Sequence, residues 1–251
     1  MNQILLITDG GSNVGESPVI AAAHAYTEGI TVNVAGVIDE GAIGEYGASE
    51  IAEIARAGGG ISQIVTSRQL SRTVQMMTRQ TVAGSIRQAV NMELRQLFGV
   101  ESVGSLPPVK RAEVVKVMEE MEETITLSVA LLIDASASMK PKLHAVEEAI
   151  RDLTLSLQAR TGRSRVAVFH FPGDSENYCV MDSNWTSSSA KLGSLFGRIR
   201  MRGTTPTGPA LLQVVDFIGE TCGKIKSADL TESPLQSSRG DSNEVRSDYV
   251  V

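Results

Sequence analysis

Short apolar runs of strand length, each followed by a stretch with helical periodicity, constrain this chain more than any other feature. Gln3 to Thr8 (QILLIT) and Thr126 to Ile133 (TLSVALLI) are long enough for buried strands and too short for helices. After the first run, Pro18 to Glu28 places Val19, Ala22, Ala23 and Tyr26 at helical spacing, with Ser17 as N-cap and Gly29 as stop. Thr31 to Val37 predicts a second strand, Ala48 to Ala57 a helix, and Ile61 to Thr66 a third strand. Ser67 to Phe98 carries Leu70, Val74, Met77, Ile86, Val90, Leu94 and Leu97 on one side, which is one long amphipathic helix or two with a break near Gly84.

A loop over Gly99 to Pro108 and a charged helix over Val109 to Glu122 separate this series from a second one. There, strand Thr126 to Ile133 leads into a helix from Pro141 to Ala159, strand Arg165 to Phe171, and an edge strand over Asn177 to Met181. Helices come next at about Ser189 to Ile199 and Thr207 to Glu220, and the Ser-rich, apolar-poor stretch from 224 reads as a disordered tail. Alternation of this kind specifies an α/β fold with a doubly wound, mostly parallel, Rossmann-like sheet.

Composition excludes several classes. Hydrophobic residues make up 42% of the 251, enough for a substantial core, yet no apolar run reaches the length of a membrane span. A formal charge of -6 argues against nucleic acid as a partner. The opening MNQILLITD lacks a basic region and does not read as a secretory signal. The two cysteines, Cys179 and Cys222, show no metal-ligand spacing, so a cytoplasmic protein is expected.

The chemistry concentrates where strands end. Strand Thr126 to Ile133 runs into Asp134-Ala-Ser136-Ala-Ser138, a carboxylate and two hydroxyls at alternate positions that a tight turn can aim at one hard cation. By itself this is equally a strand-to-helix turn with capping hydroxyls. Two further segments bear on it: Arg202-Gly-Thr204-Thr205-Pro-Thr-Gly208-Pro-Ala210-Leu211, a hydroxyl-rich loop entering a helix, and Leu5-Leu-Ile-Thr8-Asp9-Gly10-Gly11, a buried strand ending in a carboxylate.

Together the three segments resemble the metal-ion-dependent adhesion site (MIDAS) of von Willebrand factor A (VWA) domains. The resemblance covers roughly residues 2 to 80 and 125 to 220, including Ile51 to Gly60 as a late VWA helix and Val166 to Phe171 as its second strand. It implies five metal positions at Asp134, Ser136, Ser138, Thr205 and Asp9, with Thr204 as an alternative register for the threonine. The order is rotated: residues 1–98 match the second half of a VWA fold, 99–123 form a linker with a short helix, 124–223 match the first half, and 224–251 form the tail. A circular permutation is expected, with strands Gln3 to Thr8 and Thr126 to Ile133 as neighbours at the switch point of the sheet.

Oxygen ligands without His or Cys select Mg²⁺ or Mn²⁺ over Zn²⁺. The resemblance implies directly bound hydroxyls, largely water-mediated aspartates, and one open position for an Asp or Glu of a protein partner, an ATPase or kinase by family analogy. Expected on the partner-binding rim are Gly10, Gly11, Asn13, Thr204 and Trp185, the last being either a partner contact or a half-buried loop anchor. His24 and His144 fall on helices and His170 within a strand, and no general base stands beside a nucleophile. The expected function is therefore a non-catalytic, metal-dependent protein-interaction module. The alternatives are a divalent-metal hydrolase or phosphatase using Asp134, and a structural protein with an unoccupied site.

Overall fold

The computed structural model describes residues 1–38, 45–174, 177–188, 199 and 203–229. The expected helix at 189 to 199 lies outside them, apart from residue 199. The first series forms β1 (Asn2–Thr8), α1 (Pro18–Thr27), β2 (Ile30–Ile38), α2 (Glu45–Ala57), β3 (Gly59–Thr66) and α3 (Ser67–Phe98). The second begins with α4 (Pro108–Thr124) and continues through β4 (Leu127–Asp134), α5 (Leu143–Gln158), β5 (Ser164–Phe171), β6 (Val180–Thr186) and α6 (Thr207–Asp229). Short 3-10 turns occupy Val103–Ser105 and Ala137–Lys142.

The strands form one six-stranded sheet in the order β3-β2-β1-β4-β5-β6. The first five run parallel and only the edge strand β6 is antiparallel, so the fold is the doubly wound, mostly parallel α/β architecture expected. β1 and β4, more than a hundred residues apart, pair from Asn2↔Ser128 to Ile7↔Ile133. From that pair the chain winds outward through β2 and β3 on one side and through β5 and β6 on the other. The β1–β4 boundary is therefore the switch point, and β3 and β4 stand three places apart.

Period-two alternation divides the core between the two faces. Leu5, Ile7, Val129, Leu131, Ile133, Val166 and Val168 pack against Leu70, Val74 and Met77 of α3 and Val146, Ile150 and Leu153 of α5. Ile4, Leu6, Ala130, Leu132, Ala167 and Phe169 face Ala21 and Ala25 of α1, Ile51 and Ile54 of α2, and Leu211, Val214 and Ile218 of α6. Buried polar groups also cross the first layer: Asn33 Oδ1 accepts from Ile61 N and Thr81 Oγ1, both at 2.9 Å, tying β2 to β3 and α3, and Gln3 Nε2 donates to Thr78 O at 3.4 Å, tying β1 to α3. Gly60 is obligatory beside Asn33, since a Cβ there would stand 2.1 Å from Val32 O.

Four local expectations change. α3 is one uninterrupted helix: the roughly 1 kcal/mol that Gly84 costs relative to Ala is overridden by Val82 and Ile86, buried on either side of it. Ser17 makes no side-chain cap and contributes only its carbonyl, which accepts from Ala21 N at 3.1 Å. The edge strand is displaced from 177–181 to Val180–Thr186, because an edge strand open to solvent tolerates the polar Asp182-Ser-Asn run. α6 runs to Asp229 rather than stopping before a tail at 224. Cys222 is buried and accepts from Arg165 Nη2 at 3.0 Å, which anchors the last turns, and no proline stands between it and Asp229.

Candidate functional site

The parallel register aligns the C-terminal ends of β1 and β4, so Asp9, just past β1, and Asp134, the last residue of β4, meet at the switch point. Ligands of open α/β sheets characteristically sit there, beyond the strand ends. Asp134 is fully buried. Its Oδ1 accepts from Ser136 N at 2.8 Å and its Oδ2 accepts from Thr8 Oγ1 at 2.7 Å. Burial pushes its carboxyl above the ordinary Asp value; hydrogen bonds from Thr8 and Ser136 oppose this, and the nearby Asp9 carboxylate adds to it. No ion pair reaches Asp134 among the described residues.

The hydroxyls continue the cluster. Ser136 Oγ and Ser138 Oγ are 3.1 Å apart, and Ser138 Oγ donates to Asp9 Oδ1 at 3.0 Å. The other Asp9 oxygen, Oδ2, accepts from Lys142 Nζ at 2.7 Å in a largely buried ion pair. Four of the five expected metal positions, Asp134, Ser136, Ser138 and Asp9, thus form one compact set of oxygens.

Thr205 reaches the same end of the sheet by another route. Its N–H donates to Asn13 Oδ1 at 2.8 Å, and its carbonyl accepts from Asn13 N and Ser12 Oγ, each at 3.2 Å. Ser12 N in turn donates to Glu50 Oε2 at 2.7 Å. Gly208 lets the start of α6 press against this loop, since a Cβ there would lie 2.0 Å from Glu16 O. Thr205 is buried and Thr204 exposed, but the Thr205 side chain makes no hydrogen bond to the aspartates or serines among the described residues. Gly10, Gly11 and Asn13 follow Asp9 at this end of the sheet, with the exposed Tyr46 ring beside Gly11.

Trp185 does not belong to the expected rim. It sits inside β6, one residue before Thr186, which pairs with Val166 near the start of β5, whereas Asp134 pairs with Phe171 at its end. Five residues of strand, about 16 Å at 3.3 Å each, separate the two levels. The indole stacks on Phe217 at 5.4 Å between centroids, its Nε1 donates to Thr221 Oγ1 at 2.8 Å, and the Arg165 guanidinium lies 4.5 Å from the ring centroid. Trp185 therefore fastens β6 to α6. His170 is held by Asp182, Nδ1 to Oδ2 at 2.7 Å, and ties β5 to β6. His144 is an exposed helix residue facing Glu148.

Sequence reasoning did not single out Thr8 or Lys142 as site residues. Thr8 had a usable signal, a hydroxyl at the last position of a buried strand and adjacent to Asp9. Lys142 had a weaker one, its place one helical turn after Ser138.

Comparisons with known proteins extend across most of this architecture. The chain is 45% identical over 212 residues, 84% of its length and 86% of the other, to uncharacterized protein YabS of Bacillus subtilis (strain 168). The chain belongs to the YabS family. It is also similar to an uncharacterized protein from Alicyclobacillus acidocaldarius subsp. acidocaldarius DSM 446, known from a crystal structure, at 41% identity and a TM-score of 0.82. That match covers 90% of this chain and 96% of the other. No family model matches the sequence.

No group of three or more His, Cys, Asp or Glu side chains suited to a metal occurs among the described residues. What the switch point offers is two carboxylates and neighbouring hydroxyls. The 3.1 Å between Ser136 Oγ and Ser138 Oγ and the 3.0 Å from Ser138 Oγ to Asp9 Oδ1 match adjacent ligands of an octahedral Mg²⁺. Ligands at about 2.0–2.1 Å lie about 2.9 Å from each other. Because Ser138 directs its one proton to Asp9, Ser136 is the donor between the two hydroxyls, and Ser138 keeps one further lone pair for a cation. The donor set fits a hard divalent ion. Among the described residues no helix is long and apolar enough to cross a membrane.

Proposed function

We propose that this chain is a non-catalytic, cytoplasmic protein-interaction module that binds a partner through a divalent cation, Mg²⁺ or Mn²⁺, at a VWA-type site. Ser136 and Ser138 would hold the ion with Thr205, and Asp134 and Asp9 would neutralise it; a remaining position would take a carboxylate of the partner protein. The observation that carries the reading is the convergence of Asp134, Ser136, Ser138 and Asp9, from opposite halves of the chain, on one hydrogen-bonded oxygen cluster at the switch point. A buried carboxylate at Asp134 with no cationic partner among the described residues favours a cation as the missing component.

The strand order supports the permuted VWA reading. With 124–229 taken before 2–98, the sheet reads third-second-first-fourth-fifth-sixth, with an antiparallel third strand at the edge. Binding is favoured over hydrolysis because Asp134, the natural candidate nucleophile, is fully buried with both carboxylate oxygens engaged by Thr8 and Ser136. His170, the histidine nearest the strand ends, is committed to Asp182. An ATPase or kinase as partner rests on family analogy alone.

Water-proton relaxation of Mn²⁺ tests the open position. The protein should enhance relaxation of bound Mn²⁺, and acetate, as a minimal carboxylate, should reduce that enhancement by displacing water. Asp134→Ala should abolish both effects. Enhancement that acetate leaves untouched would contradict a carboxylate-accepting site.

A further inference from the structure

The oxygen cluster already contains one cation. Lys142 closes the 3-10 turn that begins one residue after Ser136, and its Nζ lies 2.7 Å from Asp9 Oδ2, with both side chains about nine-tenths buried. Asp9 is thereby divided: Oδ1 receives Ser138 and Oδ2 receives Lys142. The ammonium reaches Asp9 and not Asp134, so one carboxylate is compensated and the other is left to a different charge.

We propose that Lys142 is the charge-setting residue of the site: it holds Asp9 in place, lowers affinity for the divalent ion, and makes the loaded site net positive and so receptive to an anion. This rests on the metal-site reading above. Asp9, Asp134 and Lys142 sum to one negative charge. A divalent ion converts that to one positive charge, whereas without Lys142 the loaded site would be neutral. A carboxylate ligand then meets a net attraction in a partly desolvated cleft, where a single charge counts for more than on an open surface. The same ammonium repels the incoming metal ion. A unit positive charge about 6 Å from a divalent ion, even in a water-like medium, weakens its binding about tenfold.

The two effects have opposite signs, which separates them from a merely structural role for the lysine. Lys142→Gln should bind Mn²⁺ about tenfold more tightly than wild type by calorimetry, while the Mn²⁺-loaded variant should bind acetate several-fold more weakly. Lys142→Arg keeps the charge and should stay close to wild type in both. Lys140→Gln, which removes an exposed charge from the same turn, should leave both nearly unchanged. Circular dichroism of each variant without metal separates misfolding from altered affinity.

Equal Mn²⁺ affinity in wild type and Lys142→Gln would overturn the role of Lys142 while leaving the metal site standing. Tighter Mn²⁺ binding with unchanged acetate affinity would overturn the claim about the ligand. Failure of every form, wild type included, to bind Mn²⁺ would overturn the metal-site reading and this inference with it.

Discussion

Ser138 Oγ lies 3.0 Å from Asp9 Oδ1, although 129 positions separate them in the chain. The contact depends on the adjacency of β1 and β4, and that adjacency depends on both series of the chain building one sheet. Thr8 Oγ1 makes the companion contact to Asp134 Oδ2 at 2.7 Å across the same boundary. Together they join the two halves at the point where the proposed ion would sit.

Thr8→Val keeps the shape of the residue and removes that hydrogen bond from a buried carboxylate. A loss of about 1–3 kcal/mol in stability is expected, read as a lower midpoint in urea at neutral pH. The same change made in an Asp134→Ala background should cost much less, because the acceptor is already gone. Equal losses in both backgrounds would mean that the hydroxyl acts through its contacts with Gly10 and not through Asp134.

Burial holds the Asp134 carboxyl above its ordinary value of 3.8. An acid whose pKa is raised on folding binds its proton more tightly in the native state, so stability falls as pH rises through the folded value. Asp134 therefore destabilises the metal-free protein at neutral pH, and the cost is relieved as pH falls from the folded value toward the unfolded one. In EDTA, Asp134→Asn should melt above wild type at pH 7, with the gap closing on acidification toward pH 4. The Thr8 hydroxyl can turn to accept from the new amide. A gap that does not change with pH would contradict this account of Asp134.

Most of the fold was legible in the sequence, because buried parallel strands and amphipathic helices leave strong periodic signals. Leu5, Ile7, Leu131 and Ile133 needed no partner to be recognised as strand residues. Of the site, Asp9, Asp134, Ser136 and Ser138 were legible because each lies at or just past a strand end. Trp185 misled for the opposite reason: on a half-exposed edge strand the apolar signal is diluted, and Asp182-Ser-Asn looked like loop. Lys142 was obscure because its role exists only once β1 delivers Asp9 beside it.

Trp185→Ala checks that correction. Loss of the Phe217 stack, the Thr221 hydrogen bond and the Arg165 contact should cost about 2–4 kcal/mol, yet leave Mn²⁺ affinity at the wild-type level. A selective loss of metal or acetate binding in a protein that still melts cooperatively would return Trp185 to the rim.

Rearranging the chain tests whether the sheet closes within one molecule. α6 and β1 both have an end at the N-terminal side of the strands: Cys222 meets Arg165 near the start of β5, and the Met1 amine donates to Thr126 O at 2.8 Å. Residues 124–229 joined by a short linker to 2–98 should therefore fold as a monomer and keep its response to Mg²⁺, with a lower melting point from the loss of Met118 and the rest of α4. Joint refolding of Asp9→Ala with Asp134→Ala protein, each in the natural order, should restore no Mg²⁺ response. Recovery in that mixture would mean that two chains exchange halves.

The central claim is that the oxygen cluster at the switch point holds a divalent ion. Thermal melts of wild type and Asp134→Ala, in EDTA and in millimolar Mg²⁺ or Mn²⁺, test it most directly. The account predicts that the ion stabilises wild type by about 1–3 kcal/mol at concentrations tens to a hundred-fold above Kd, and leaves Asp134→Ala where it was. Coincident wild-type melts with and without either ion would contradict it.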